Sequence, residues 1–171
     1  MKMRCNQVVF AFVACMASVC ANAAVRLDDS ASPRAFVQAP PMVSEFGYPL
    51  NQYRPGAPAP QRGIVDFPHI EYRLTTAPFM GRNSRIYFVI PQLIAGLRSP
   101  QGLVVSWRSE GRFSAGSGRP GDKVLVWSGV VREAVMSEVL TLRAEYTLSE
   151  LLPESAKGIS VEYYFEIEAT P

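Results

Sequence analysis

A chain of 171 residues that is 48% hydrophobic and 19% charged has the composition of one globular domain with a sizeable core. Its three cysteines, Cys5, Cys15 and Cys20, all precede residue 21, so a disulfide-dense secreted scaffold is excluded for everything that follows them. The formal net charge of +2 falls to zero when Lys2 and Arg4 are set aside with that leader, and nucleic acid is not an expected partner.

The first 23 residues have the form of a secretory signal peptide. Lys2 and Arg4 stand without an acid, the run from Val8 to Cys20 is apolar, and Ala21-Asn22-Ala23 is a small-x-small cleavage site. Thirteen apolar residues are too few to cross a bilayer. A lipoprotein modified at Cys15 or Cys20 is the alternative, and Phe12 and Val19 fit it poorly. The expected product is exported to the periplasm or cell surface, with no transmembrane segment in the mature chain.

Residues 24–62 read as a proline-rich extended arm. Pro33, Pro40, Pro41, Pro49, Pro55, Pro58 and Pro60 interrupt any periodicity. Apolar residues recur between them, and in an extended segment they are expected to lie on a surface, in cis or in trans. Phe36, Val37, Met42, Val43, Phe46 and Leu50 are therefore the candidate partner-binding residues of the arm.

From residue 63 to 171 the pattern is that of short strands. Ile64 to Phe67 and Ile70 to Leu74 are strand signals interrupted by Pro68, as at an edge or a bulge. Arg85 to Ile90 is apolar on both faces and reads as a central strand. Leu103 to Trp107 and Lys123 to Val131 each carry a tryptophan and are joined by a long loop with four glycines. Arg132 to Ser137 is expected to link to the next strand, in which Leu140, Leu142, Ala144, Tyr146 and Leu148 face inward. The last strand, Ile159 to Glu168, alternates apolar and polar without an error, and Ile159, Val161, Tyr163, Phe165 and Ile167 share one face. Six or seven strands without a long helix predict an all-β fold, an immunoglobulin-like antiparallel β-sandwich, with a jelly roll or small barrel as the alternative.

The search for chemistry returns little. His69 is the single histidine, so neither a metal centre nor a Ser or Cys triad of the ordinary kind is expected. The Gly-rich stretch around Ser114 and Ser117 matches neither a nucleophile elbow nor a phosphate loop. Glu162, Glu166 and Glu168 share a strand face, where carboxylates ordinarily serve solubility. No catalytic residue and no cofactor is assigned, and the chain is not expected to be an enzyme.

The expected function is that of a non-catalytic subunit or accessory component of a cell-surface structure, fimbria-like and acting in adhesion or assembly, with a protein partner or self-assembly. The layout of leader, N-terminal extension, sandwich and alternating C-terminal strand is similar to that of chaperone–usher pilins. It departs from the commoner pilins in lacking their disulfide, and no family residue transfers to this chain. The alternative is a periplasmic or secreted binding module that recognises a ligand through loops at one end of the sandwich. Arg112, Phe113 and Arg119, in the loop from Ser109 to Asp122, are its candidate contacts.

Charge is unevenly placed. Residues 24–123 hold 12 basic and 7 acidic side chains and residues 124–171 hold 3 and 8, so the two parts carry +5 and −5. Pairing across one fold is the favoured explanation, and attraction between copies is the other.

Overall fold

A computed structural model describes residues 23–33, 41–52, 55–152, 159 and 161–170. The strands are β1 (Val25–Arg26), β2 (Val43–Ser44), β3 (Arg62–Thr75), β4 (Asn83–Val89), β5 (Leu103–Ser109), β6 (Gly116–Gly118), β7 (Lys123–Val130), β8 (Val135–Thr147) and β9 (Tyr164–Ala169). The expected signal peptide lies outside the described residues, apart from Ala23.

Two antiparallel sheets form a β-sandwich. The first has the order β1-β9-β4-β7 and the second β2-β3-β8-β5-β6. Only β2 to β3 and β5 to β6 join strands of one sheet, and each of the other six connections crosses between layers. β4 is central, between β9 and β7, as its two apolar faces predicted.

Three boundaries differ from expectation. The two signals around Pro68 are one strand, β3, whose pairing with β8 continues across a bulge between Phe67 and Ile70. Pro68 cannot donate to a ladder and His69 takes φ +52°, a conformation that costs a non-glycine residue about 1–2 kcal/mol. The bulge absorbs both and irregularises a strand whose other side is covered, among the described residues, near Gly63, Ile64, Arg73 and Thr75. β8 begins at Val135 and so contains half of the expected link. The Gly-rich loop contains a short strand, β6, paired with β5.

The C-terminal strand is shorter than its alternating pattern. β9 starts at Tyr164, paired with Val89, where β4 ends ahead of Pro91. Ile159, Val161 and Tyr163 have no ladder partner beyond that point, yet they pack against the core. Alternation reports which side is apolar, and a strand exists only where a neighbour continues.

The core lies between the sheets. Leu140, Leu142, Tyr146, Phe165, Ile167, Phe88 and Trp107 are buried together, with Trp127 half-buried against them. Its centre is aromatic. The Phe88 ring lies 4.6 Å from Trp107, 5.2 Å from Phe165 and 5.4 Å from Tyr163, and Phe165 meets Tyr72 edge-on at 5.0 Å.

Tyr72, Tyr146 and Tyr163 sit in this apolar surround, and burial disfavours their phenolate forms. Burial pushes Tyr146 up to about 12, and Tyr72 and Tyr163 rise further, with Asp29 adding to the effect at Tyr72. A raised folded value means that the contribution to stability is complete below the unfolded pKa of about 10 and is lost as pH climbs through the folded values. In an alkaline titration, phenolate absorbance from these three residues is therefore expected only above about pH 11, together with loss of the β-sheet circular dichroism signal. Ionisation of all seven tyrosines near pH 10 in a chain that stays folded would contradict this packing.

Candidate interaction surfaces

Two parts of the expected arm lie on the sandwich itself. Val25 and Arg26 pair with Ile167 and Glu166 at the edge of the first sheet, and the Leu27 amide donates to the Phe165 carbonyl at 2.8 Å. The Leu27 side chain is 3% exposed and belongs to the core. Immediately afterwards the chain crosses to the second sheet. The Thr75 amide donates to the Asp28 carbonyl at 2.8 Å, and the Arg73 amide donates to Ser32 Oγ, also at 2.8 Å.

The second part is a small hairpin against β3. Val43 pairs with Ile64 and also bridges to Pro49, and the Leu50 amide donates to the Met42 carbonyl. Met42 packs against the core with its sulfur over Gly63, where a Cβ would collide with it. Glu45 accepts from the Gln61 and Arg62 amides, and chiefly the Gln61 bond holds its carboxyl below the ordinary range. Tyr48 is buried and donates to the Pro58 carbonyl, whereas Phe46 is half exposed and stacks on Tyr48. Of the arm's candidate residues, Met42 packs inward, Val43 and Leu50 are half-buried and Phe46 is presented to solvent. Phe36 and Val37 lie outside the described residues.

The loop between β5 and β7 is organised by a carboxylate that hydrophobic patterning alone does not single out. Glu138 occupies an inward position of β8, and its side chain is fully enclosed. It accepts from Ser109 Oγ at 2.8 Å, from the Arg112 amide at 2.9 Å and from Arg112 Nε at 3.3 Å, with a longer contact from the Phe113 amide at 3.4 Å. Gly111 is required here, since a Cβ would strike the Glu138 carboxylate. Arg112 also forks onto both oxygens of Glu133, at 3.0 and 3.1 Å, and this pairing holds its guanidinium charged. Phe113 is buried with its ring 5.6 Å from Phe165, so its side chain is part of the core. Arg119 is exposed and donates to the Gln101 carbonyl. At the rim, His69 Nδ1 lies 3.1 Å from Glu110.

The glutamates of the C-terminal segment are each engaged by a cation. Glu162 meets Arg26 at 3.1 Å, while Glu166 and Glu168 converge on Lys123 at 2.9 and 2.8 Å. The Lys123 hydrogen bond, helped by one from Tyr87, lowers the Glu168 pKa. Lys123 also lies 4.4 Å from the centre of the Tyr87 ring. Among the described residues no three metal-ligating side chains converge, and no helix is long and apolar enough to cross a membrane.

Comparison with protein-family models, with curated proteins and with solved structures gave no match.

Proposed function

We propose that this chain is an exported, non-catalytic, immunoglobulin-like sandwich that serves as a subunit or accessory component of a fimbria-like cell-surface structure. The observation that carries the reading is the seat of residues 25–27. The expected cleavage after Ala23 leaves this strand at the extreme N-terminus of the mature chain. It covers a sheet edge with two paired residues and one buried leucine. A terminal strand held so sparingly, on a proline-rich segment long enough to reach elsewhere, suits exchange between copies or with a partner.

The test compares the mature chain from residue 24 with a version lacking residues 24–61, by size-exclusion chromatography and thermal unfolding. The expected result is concentration-dependent assembly of the mature chain, with the deletion lowering both assembly and melting temperature. A mature chain that stays monomeric at every concentration and with no partner in co-expression overturns the reading.

A second reading, a binding module using the loop from Ser109 to Asp122, is favoured by one feature. Glu138 fixes the backbone of that loop at Arg112, which suits a preformed recognition surface.

A further inference from the structure

We propose that a groove on the outer face of the second sheet binds a uronic-acid-type saccharide, a ligand carrying one carboxylate and several hydroxyls. The inference does not depend on the chain assembling.

The groove follows from register. Asp66 is paired with Arg143, Arg143 with Ser106, and Thr141 with Arg108, so all five side chains stand on the face away from the core. The neighbouring strand β6 keeps the wall low. Its residue on this face is Ser117, the partner of Ser106 and a small side chain, while Gly116 pairs with the inward-facing Trp107. The resulting hollow has a volume of about 610 Å³, within the range of small-ligand sites.

Its donors are mostly unspent. Arg143 uses Nε on Glu145 at 3.1 Å and Nη1 on Asp66 at 3.5 Å, and its Nη2 has no polar contact among the described residues. Arg108 is exposed, and its side chain makes no hydrogen bond or ion pair among the described residues. The hydroxyls of Ser106 and Thr141 are likewise without a hydrogen bond among them. Two guanidinium groups and two hydroxyls on one floor match a carboxylate, which takes paired N–H donors best.

Asp66 gives the site its second character. A carboxylate at one end repels a bare anion, and it accepts hydrogen bonds from ligand hydroxyls. Asp66 at one end, Arg143 beside it on the middle strand and Arg108 at the other end suit a ring that carries an acid group on one carbon and hydroxyls on others. Trp107 is 2% exposed, so it offers no stacking platform and single-residue affinity is weak.

The experiment is a nitrogen-15 NMR titration of the mature chain with methyl glucuronide, with methyl glucoside and acetate as controls. Methyl glucuronide is expected to give saturable shifts confined to residues 66, 106–108 and 141–143, with a Kd of ~1–10 mM that weakens as salt is added. Arg108→Gln is expected to weaken binding about tenfold with the rest of the spectrum unchanged, because Arg108 supports nothing in the fold. The proposal fails if no localised shifts appear or if the Arg108→Gln protein binds equally well. Equal binding of methyl glucoside removes the role of the cations, and equal binding of acetate reduces the site to one for simple anions. Either result overturns the assignment.

Discussion

Truncating Phe165 to alanine is expected to lower folding stability by about 3–5 kcal/mol. The ring is 1% exposed and lies within 5.6 Å of three other rings, Tyr72 from the second sheet, Phe88 from its own and Phe113 from the β5–β6 loop. Removing it opens a cavity at the point where both layers and the loop meet, and a β-sandwich with fixed ladders on either side has little freedom to collapse into it. Urea unfolding of the variant beside the parent measures the loss. A change below about 1 kcal/mol would mean that the two sheets are not packed through this residue.

Glu138→Ala is expected to cost about 3 kcal/mol, through polar groups rather than volume. The Arg112 amide, the Ser109 hydroxyl and Arg112 Nε all lose their acceptor in a place that water does not reach freely. Glu133 still holds the outer edge of the Arg112 guanidinium, so the cation is not left without a partner. Glu138→Gln keeps one acceptor oxygen and should lose roughly half as much. Hydrogen exchange at the Arg112 and Phe113 amides gives the local reading: both should exchange far faster in the alanine variant, while the β4 amides slow or quicken only with global stability. Unchanged protection at Arg112 would show that the loop holds its shape without the carboxylate.

The same residue explains where the sequence misleads. Met136, Glu138 and Leu140 all point inward on β8, and a glutamate in that series reads as the end of an apolar face. The strand was therefore legible only from Val139 onward. What pattern reasoning lacks is the loop, 25 to 29 residues away in sequence but adjacent in space, that supplies the donors for a buried carboxylate. The opposite error occurs at Ile159 to Tyr163, where alternation is perfect and the ladder is missing because Pro91 has already ended the partner strand. The core residues of β4, β8 and β9 were legible because burial on one face is written directly into a period of two.

Charge asymmetry was legible as a fact, and its meaning needed coordinates. Arg26 with Glu162, Arg112 with Glu133 and Glu138, and Lys123 with Glu166 and Glu168 each join a base from the earlier part to an acid from the later one. The arm was the least legible region. Prolines advertise the want of regular structure, but Leu27 and Tyr48 are buried because each meets a hydrophobic surface built by residues far along the chain.

The pairing of β1 with β9 joins the earliest strand to the latest, and six of the eight connections change layer. Such a topology is completed late. In the first sheet β4 waits for both of its neighbours, β7 and β9, and β1 waits for β9, and loop closure must be met before these distant contacts return any stability. A nascent chain that has not yet released its last ten residues lacks β9, so β4 and the N-terminal strand both stand with an unpaired side and the aromatic centre lacks Phe165. Partial chains of this protein are accordingly sticky and slow, and the interval between synthesis and closure is when a holding factor, or a protease, has its opportunity.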